Sequence, residues 1–125
     1  MQILVVDDET DVRDLFQQRF RREIRNGELR FNFAFSGEEA LLFLRAHHSE
    51  VLIILSDINM PGMSGLDLLS HVREEFEMPP TTMMMITAYG DDETHRQALA
   101  LGANDFLVKP LDFSVLRNKL LQIKP

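Results

Sequence analysis

Five polar residues could do chemistry together: Asp7, Asp8, Asp57, Thr87 and Lys109. They follow four short apolar runs, at residues 3–6, 51–55, 83–86 and 106–108. Three carboxylates gathered in one pocket repel each other and hold protons more tightly. A hard divalent cation relieves that repulsion, and Mg²⁺ favours a few carboxylates completed by water and phosphate oxygens. Lys109 adds a compact positive charge suited to a phosphate. The Thr87 hydroxyl can donate to a phosphoryl oxygen. An aspartate can itself act as nucleophile and carry an aspartyl phosphate. Phosphoryl transfer asks mainly for positioning and charge neutralisation, and this set supplies both.

Each residue also has a plainer reading. Asp7 and Asp8 alone would be solvated carboxylates at a helix start, a place aspartate favours. Asp57 alone would be a loop residue, Thr87 a strand end, and Lys109 before Pro110 a turn. The functional reading rests on all of them falling at strand ends. Met83, Met84 and Met85 read as core filling. His47, His48, His71 and His95 show no metal-binding spacing, and the adjacent His47 and His48 read as surface. Arg19, Arg21, Arg22 and Arg25 read as a solvated helix face, with contact to an acidic partner as the alternative.

The elements that must position these residues alternate. After the first apolar run, Val12, Leu15, Phe16, Phe20 and Ile24 recur at helical spacing, and Asn26-Gly27 ends the helix. Residues 30–35 alternate apolar and polar, as in a strand near a sheet edge. Ser36 with Glu39 forms a capping box before Ala40, Leu41 and Leu44. Residues 51–55 are continuously apolar, as expected of a strand covered on both faces. Pro61-Gly62 marks a loop, and Ser64 caps a helix carrying Leu68, Leu69, Val72 and Phe76. Residues 83–86 form the fourth strand, and residues 91–101 the fourth helix, stopped at Gly102. Residues 106–108 form the fifth strand. Asp112 caps the fifth helix, with Val115, Leu116, Leu120 and Ile123 facing inward. Five strands and five helices in alternation imply an α/β fold with a doubly wound parallel sheet in the flavodoxin-like order 2-1-3-4-5. Ligands in such folds bind beyond the carboxyl ends of the strands.

Composition narrows the classes. The 125 residues suit one domain, expected over 1–125, with 45% hydrophobic and 26% charged residues in an ordinary globular balance. The absence of cysteine excludes disulfides, thiolate chemistry and Cys-based zinc sites. No apolar stretch approaches membrane-spanning length. The start MQILVVDDE lacks the basic segment of a signal peptide, so a cytoplasmic location is expected. The net charge of −7 argues against direct nucleic-acid binding.

The segments LVVDDE, LSDINMPGMSG, ITAYG and FLVKP follow one another as in the response-regulator receiver family. The chain resembles that family over nearly its whole length. The resemblance implies that Asp57 is the phosphoacceptor. It implies Mg²⁺ bound by Asp8, Asp57 and the backbone carbonyl of Asn59, with Asp7 acting through water. Thr87, Lys109 and the Ala88 backbone would hold the phosphoryl group, the small Ala88 leaving room for the donor. Thr87 and Phe106 would form the switch. Asn59 and Tyr89 would flank the water that hydrolyses the phosphoryl group and so tune its lifetime. The Lys109–Pro110 bond would be cis. The implied donor is a sensor histidine kinase or phosphotransfer protein. The implied output face is the fourth helix, fifth strand and fifth helix, docking a partner or forming a symmetric homodimer.

Three features depart from the family pattern. Ser56 stands where an apolar residue is usual. Phe106 replaces a common tyrosine and has no hydroxyl. The stretch RREIRNGELR lengthens the first helix and its exit. Two other function classes fit the residues less well. An aspartate-based phosphatase of the haloacid-dehalogenase type needs a second aspartate two residues after its nucleophile, where Asn59 cannot donate a proton. A phosphorylation-independent interaction module would not need the complete acceptor set. The expected activity is therefore self-phosphorylation and self-dephosphorylation, without turnover of an external substrate.

Overall fold

Parallel strands need a crossover to return the chain, and short apolar runs separated by amphipathic helices provide it. The computed structural model describes residues 1–47, 49–51, 53–76, 82–88 and 91–123; His48 and Tyr89 lie outside them. The elements run β1 (Gln2–Val6), α1 (Asp11–Arg19), α2 (Arg21–Arg25), β2 (Arg30–Ala34), α3 (Gly37–His47), β3 (Ile53–Asp57), α4 (Gly65–Glu75), β4 (Thr82–Thr87), α5 (Asp92–Ala100), β5 (Asp105–Val108) and α6 (Phe113–Gln122). All strand pairs are parallel, in the expected order β2-β1-β3-β4-β5, with β2 at an edge.

Alternation along the strands divides the core in two. Leu4, Val6, Ile54, Met83 and Met85 face α3, α4 and α5, meeting Leu44, Leu68 and Ala98. Ile3, Val5, Ile53, Leu55, Met84 and Ile86 face the other side, meeting Phe16, Phe20, Leu116 and Leu120. The three consecutive methionines are all buried, as core filling requires.

Local chemistry sets the helix ends. Ser64 Oγ accepts the Asp67 N–H at 3.1 Å, and Asp67 returns the bond to the Ser64 N–H at 3.3 Å. Ser36 Oγ accepts the Glu39 N–H at 3.1 Å. Asp112 caps α6 through the Ser114 and Val115 amides. Gly102 follows α5 with φ of 103°, a left-handed conformation that glycine adopts without strain.

The helix count differs from expectation. The single first helix breaks at Phe20, giving six helices among the described residues. Phe20 is fully buried against Phe16, Phe31 and Phe113. The turn there carries Glu23 inward to Arg117 of α6, with Arg117 Nε donating at 3.0 Å. Ile24 is consequently 36% exposed rather than inward. Val115 is 45% exposed, because Leu116 and Leu120 already fill the buried stripe of α6. Leu15 is exposed too and borders an apolar groove with Val12 and Phe113.

Candidate functional site

Strand register gathers the polar residues at one edge. Val6 pairs with Ser56, Asp57 with Ile86, and Thr87 with Val108, so the residues at these ends are neighbours. The Lys109 N–H donates to the Thr87 carbonyl at 2.8 Å, holding the start of the loop after β5 against β4. Lys109–Pro110 is cis.

Asp7 and Asp57 are buried, whereas Asp8 is exposed. One carboxylate oxygen from each lies within 4.8 Å of the others. Among the described residues, this is the one cluster of three or more potential metal-ligating side chains. Lys109 Nζ bridges the buried pair, 3.2 Å from Asp7 Oδ2 and 3.6 Å from Asp57 Oδ2. Asp7 Oδ1 accepts the Glu9 N–H at 3.0 Å, which orients it at the start of the loop.

Burial pushes the Asp57 carboxyl up to about 6; Lys109 pulls it back, and the charges of Asp7 and Asp8 raise it further. Burial also works against the Lys109 charge, but Asp57 and Asp7 outweigh it and hold the ammonium above its usual range. The pocket is therefore short of positive charge. An all-oxygen donor set this close fits a small hard cation such as Mg²⁺.

Thr87 is fully buried at the end of β4, and its Oγ1 accepts from Asn59 Nδ2 at 3.1 Å. Asn59 and Ala88 are both exposed beside it. Phe106 is half-buried, and its ring stacks on His95 of α5, with centroids 4.6 Å apart and planes 18° apart. Of the expected site residues, Asp7, Asp8, Asp57 and Lys109 thus converge. Asn59 and Thr87 adjoin them, Phe106 packs against α5, and Tyr89 lies outside the described residues.

Two supporting residues were harder to read. A Cβ on Gly65 would collide with the Asp57 carbonyl oxygen and stand 2.8 Å from Ile58 Cα. The Gly65 N–H donates to the Ile58 carbonyl at 2.8 Å, so the start of α4 leans on the backbone that carries Asp57. A glycine directly after the Ser64 cap was the available signal. Ser56, the departure from the apolar pattern, is fully buried and donates its hydroxyl to the Asp57 carbonyl at 3.0 Å.

The fold and this cluster define a class. Residues 3–121 match the response regulator receiver domain, and the chain belongs to that family of signalling switches. It is 39% identical to the response regulator protein PilR of Pseudomonas aeruginosa over 116 residues, 91% of this chain but 24% of PilR. It is 32% identical to the chemotaxis protein CheY-3 of Vibrio cholerae, covering 98% of this chain and 91% of that one. The CheX–CheY–BeF3–Mg²⁺ complex from Borrelia burgdorferi includes a similar solved chain, with a TM-score of 0.86, 29% identity and coverage of 99% of this chain and 90% of that one. The chain therefore spans most of a CheY-type protein and about a quarter of PilR.

Proposed function

We propose that this chain is a phosphorylation-dependent switch that accepts a phosphoryl group on Asp57 from a phosphohistidine donor. The observation that carries the reading is Lys109 Nζ placed between Asp7 and Asp57, with Asp8 completing the carboxylate cluster. Asp8, Asp57 and the Asn59 carbonyl would hold Mg²⁺, with Asp7 acting through a water. When bound, the ion supplies charge neutralisation for the phosphoryl oxygens. The BeF3 and Mg²⁺ in the CheY relative's complex support the same reading here.

In the transfer, a carboxylate oxygen of Asp57 forms the new O–P bond. The P–N bond to the donor histidine breaks, and its electron pair stays on the imidazole. Lys109 turns from the carboxylates to a phosphoryl oxygen. Thr87 gives up the Asn59 bond and donates its hydroxyl to a second oxygen, and the Ala88 backbone takes a third. Movement of Thr87 leaves space that Phe106 fills, which requires its ring to leave His95. The signal then reaches the face formed by α5, β5 and α6.

Leu99, Val108 and Val115 are exposed on those three elements, which supports docking of a partner or a symmetric dimer there. The net charge of −7 favours protein partners over nucleic acid. No helix among the described residues is long and apolar enough to cross a membrane. A cytoplasmic location, where a sensor kinase or phosphotransfer protein would meet the chain, goes with this reading.

Acetyl phosphate with Mg²⁺ should add one phosphoryl mass, and Asp57→Asn should remove that addition. After the donor is withdrawn, decay reads the lifetime. With Asn59, Tyr89 flanks the in-line path of water in this reading, so Tyr89→Ala and Tyr89→Glu should both decay faster. Slower decay in both would mean that Tyr89 assists the water.

A further inference from the structure

The arginines at the end of α1 and along α2 take no part in the proposed phosphoryl site. Five of the chain's thirteen basic residues lie between positions 19 and 30, against two of its twenty acidic ones. Four of the five, Arg19, Arg21, Arg22 and Arg25, line an open hollow of about 630 Å³ with Asn26 and Arg117.

The hollow has a built frame. Because the helix breaks at Phe20, the carboxylate of Glu23 turns inward and is neutralised by Arg117. Arg117 Nη2 also donates to the Arg19 carbonyl at 2.6 Å, and its guanidinium lies over the Phe20 ring. Arg19 is braced over Phe113, 5.3 Å from the ring centroid. The one acidic group lining the hollow is thus already paired, and Glu28, the other acidic residue of the stretch, meets it only through Asn26 Nδ2. Arg21, Arg22 and Arg25 are exposed and make no ion pair among the described residues. Arg21 and Arg25 are four apart, a helical spacing at which like charges repel. The carbonyl end of a helix favours a cation or two in its last turn, not a group of this size.

We propose that this hollow docks a short acidic segment of a protein partner, held by the guanidinium groups of Arg19, Arg21, Arg22 and Arg25. Guanidinium forks pair with carboxylates in bidentate fashion. At physiological salt the field of the acidic remainder fades within about 8 Å, so a short segment meets the local patch. A nucleic acid extending past the hollow would meet that acidic remainder instead. The hollow stands independently of the phosphorylation reading.

The test is fluorescence anisotropy with a labelled Glu/Asp-rich peptide at physiological ionic strength, using the full chain. The variant is Arg21→Ala/Arg22→Ala/Arg25→Ala, whose exposed side chains make no ion pair among the described residues. Arg96→Ala, at an exposed arginine on α5, shows what the loss of one arginine charge outside the hollow does. Wild type and Arg96→Ala should bind alike, the triple variant should lose on the order of tenfold in affinity, and amide shifts should concentrate in residues 18–26. Absence of binding to wild type, equal weakening by Arg96→Ala, or tighter binding of a single-stranded oligonucleotide of matched charge would overturn the proposal. So would arginine-dependent self-association in sedimentation without any effect of the triple variant on the peptide.

Discussion

Asn59 Nδ2 donates to Thr87 Oγ1 at 3.1 Å, tying the residue two beyond Asp57 to the buried hydroxyl at the end of β4. The loop after β3 and the end of β4, through residues 28 positions apart, are thereby joined beside the carboxylate pocket.

This bond opposes the proposed movement of Thr87. A neutral hydrogen bond contributes about 1 kcal/mol net, so Asn59→Ala should speed phosphorylation by acetyl phosphate by up to about fivefold. Time-resolved intact mass measures it. An unchanged or slower rate would mean that Thr87 is not restrained through Asn59.

The pH dependence of stability follows from Asp57. Its folded-state pKa is raised to about 6, so the folded chain holds this proton more tightly than the unfolded chain does. The metal-free protein should lose stability as pH rises from the ordinary carboxylate range through about 6. Asp57→Asn removes that loss. After allowing for solvent that reaches the pocket, the variant should gain about 1 kcal/mol at pH 7 and nothing below pH 4. Urea unfolding at both pH values checks this, and a gain of equal size at both would contradict it.

Much of the scaffold was legible because its causes are local. Ser64, Asp112 and Gly102 mark helix ends through chemistry within a few residues, and the strands announce themselves by buried, apolar runs. The break at Phe20 was not legible, since the helical spacing of apolar residues runs through it, and the Arg117–Glu23 contact that accompanies it joins residues 94 positions apart. Nor does periodicity distinguish Val115 from its neighbour Leu116, which takes the buried place. The carboxylates and Lys109 could be grouped because strand ends share one sheet edge. The Asn59–Thr87 bond and the approach of Gly65 to Asp57 require side-chain positions and loop paths that no spacing encodes.

Gly65 gives a third prediction. Its added methyl would meet backbone rather than a flexible side chain, so Gly65→Ala should force the Asp57 loop to shift. Overpacking of this kind costs about 1–3 kcal/mol. Thermal melting should show the loss, and phosphorylation should fall with it. A variant of native stability and full labelling would mean that α4 can withdraw freely.

The His95–Phe106 stack should restrain the aromatic in its present position. Such a pair is worth about 0.5–1.5 kcal/mol, so His95→Ala should loosen the Phe106 ring from its present position before phosphorylation. Phe106→Tyr should preserve switching, because the coupling rests on ring packing. Ring chemical shifts and nuclear Overhauser contacts of Phe106 read both variants. No change in His95→Ala would remove the stack from the switching scheme.

The most direct measurement is site-resolved mass spectrometry after incubation with acetyl phosphate and Mg²⁺. The expected result is a single phosphoryl group on Asp57, absent without the metal and absent in Asp57→Asn. Undiminished single-site labelling in Asp57→Asn, or labelling of another residue in the wild type, would contradict the account.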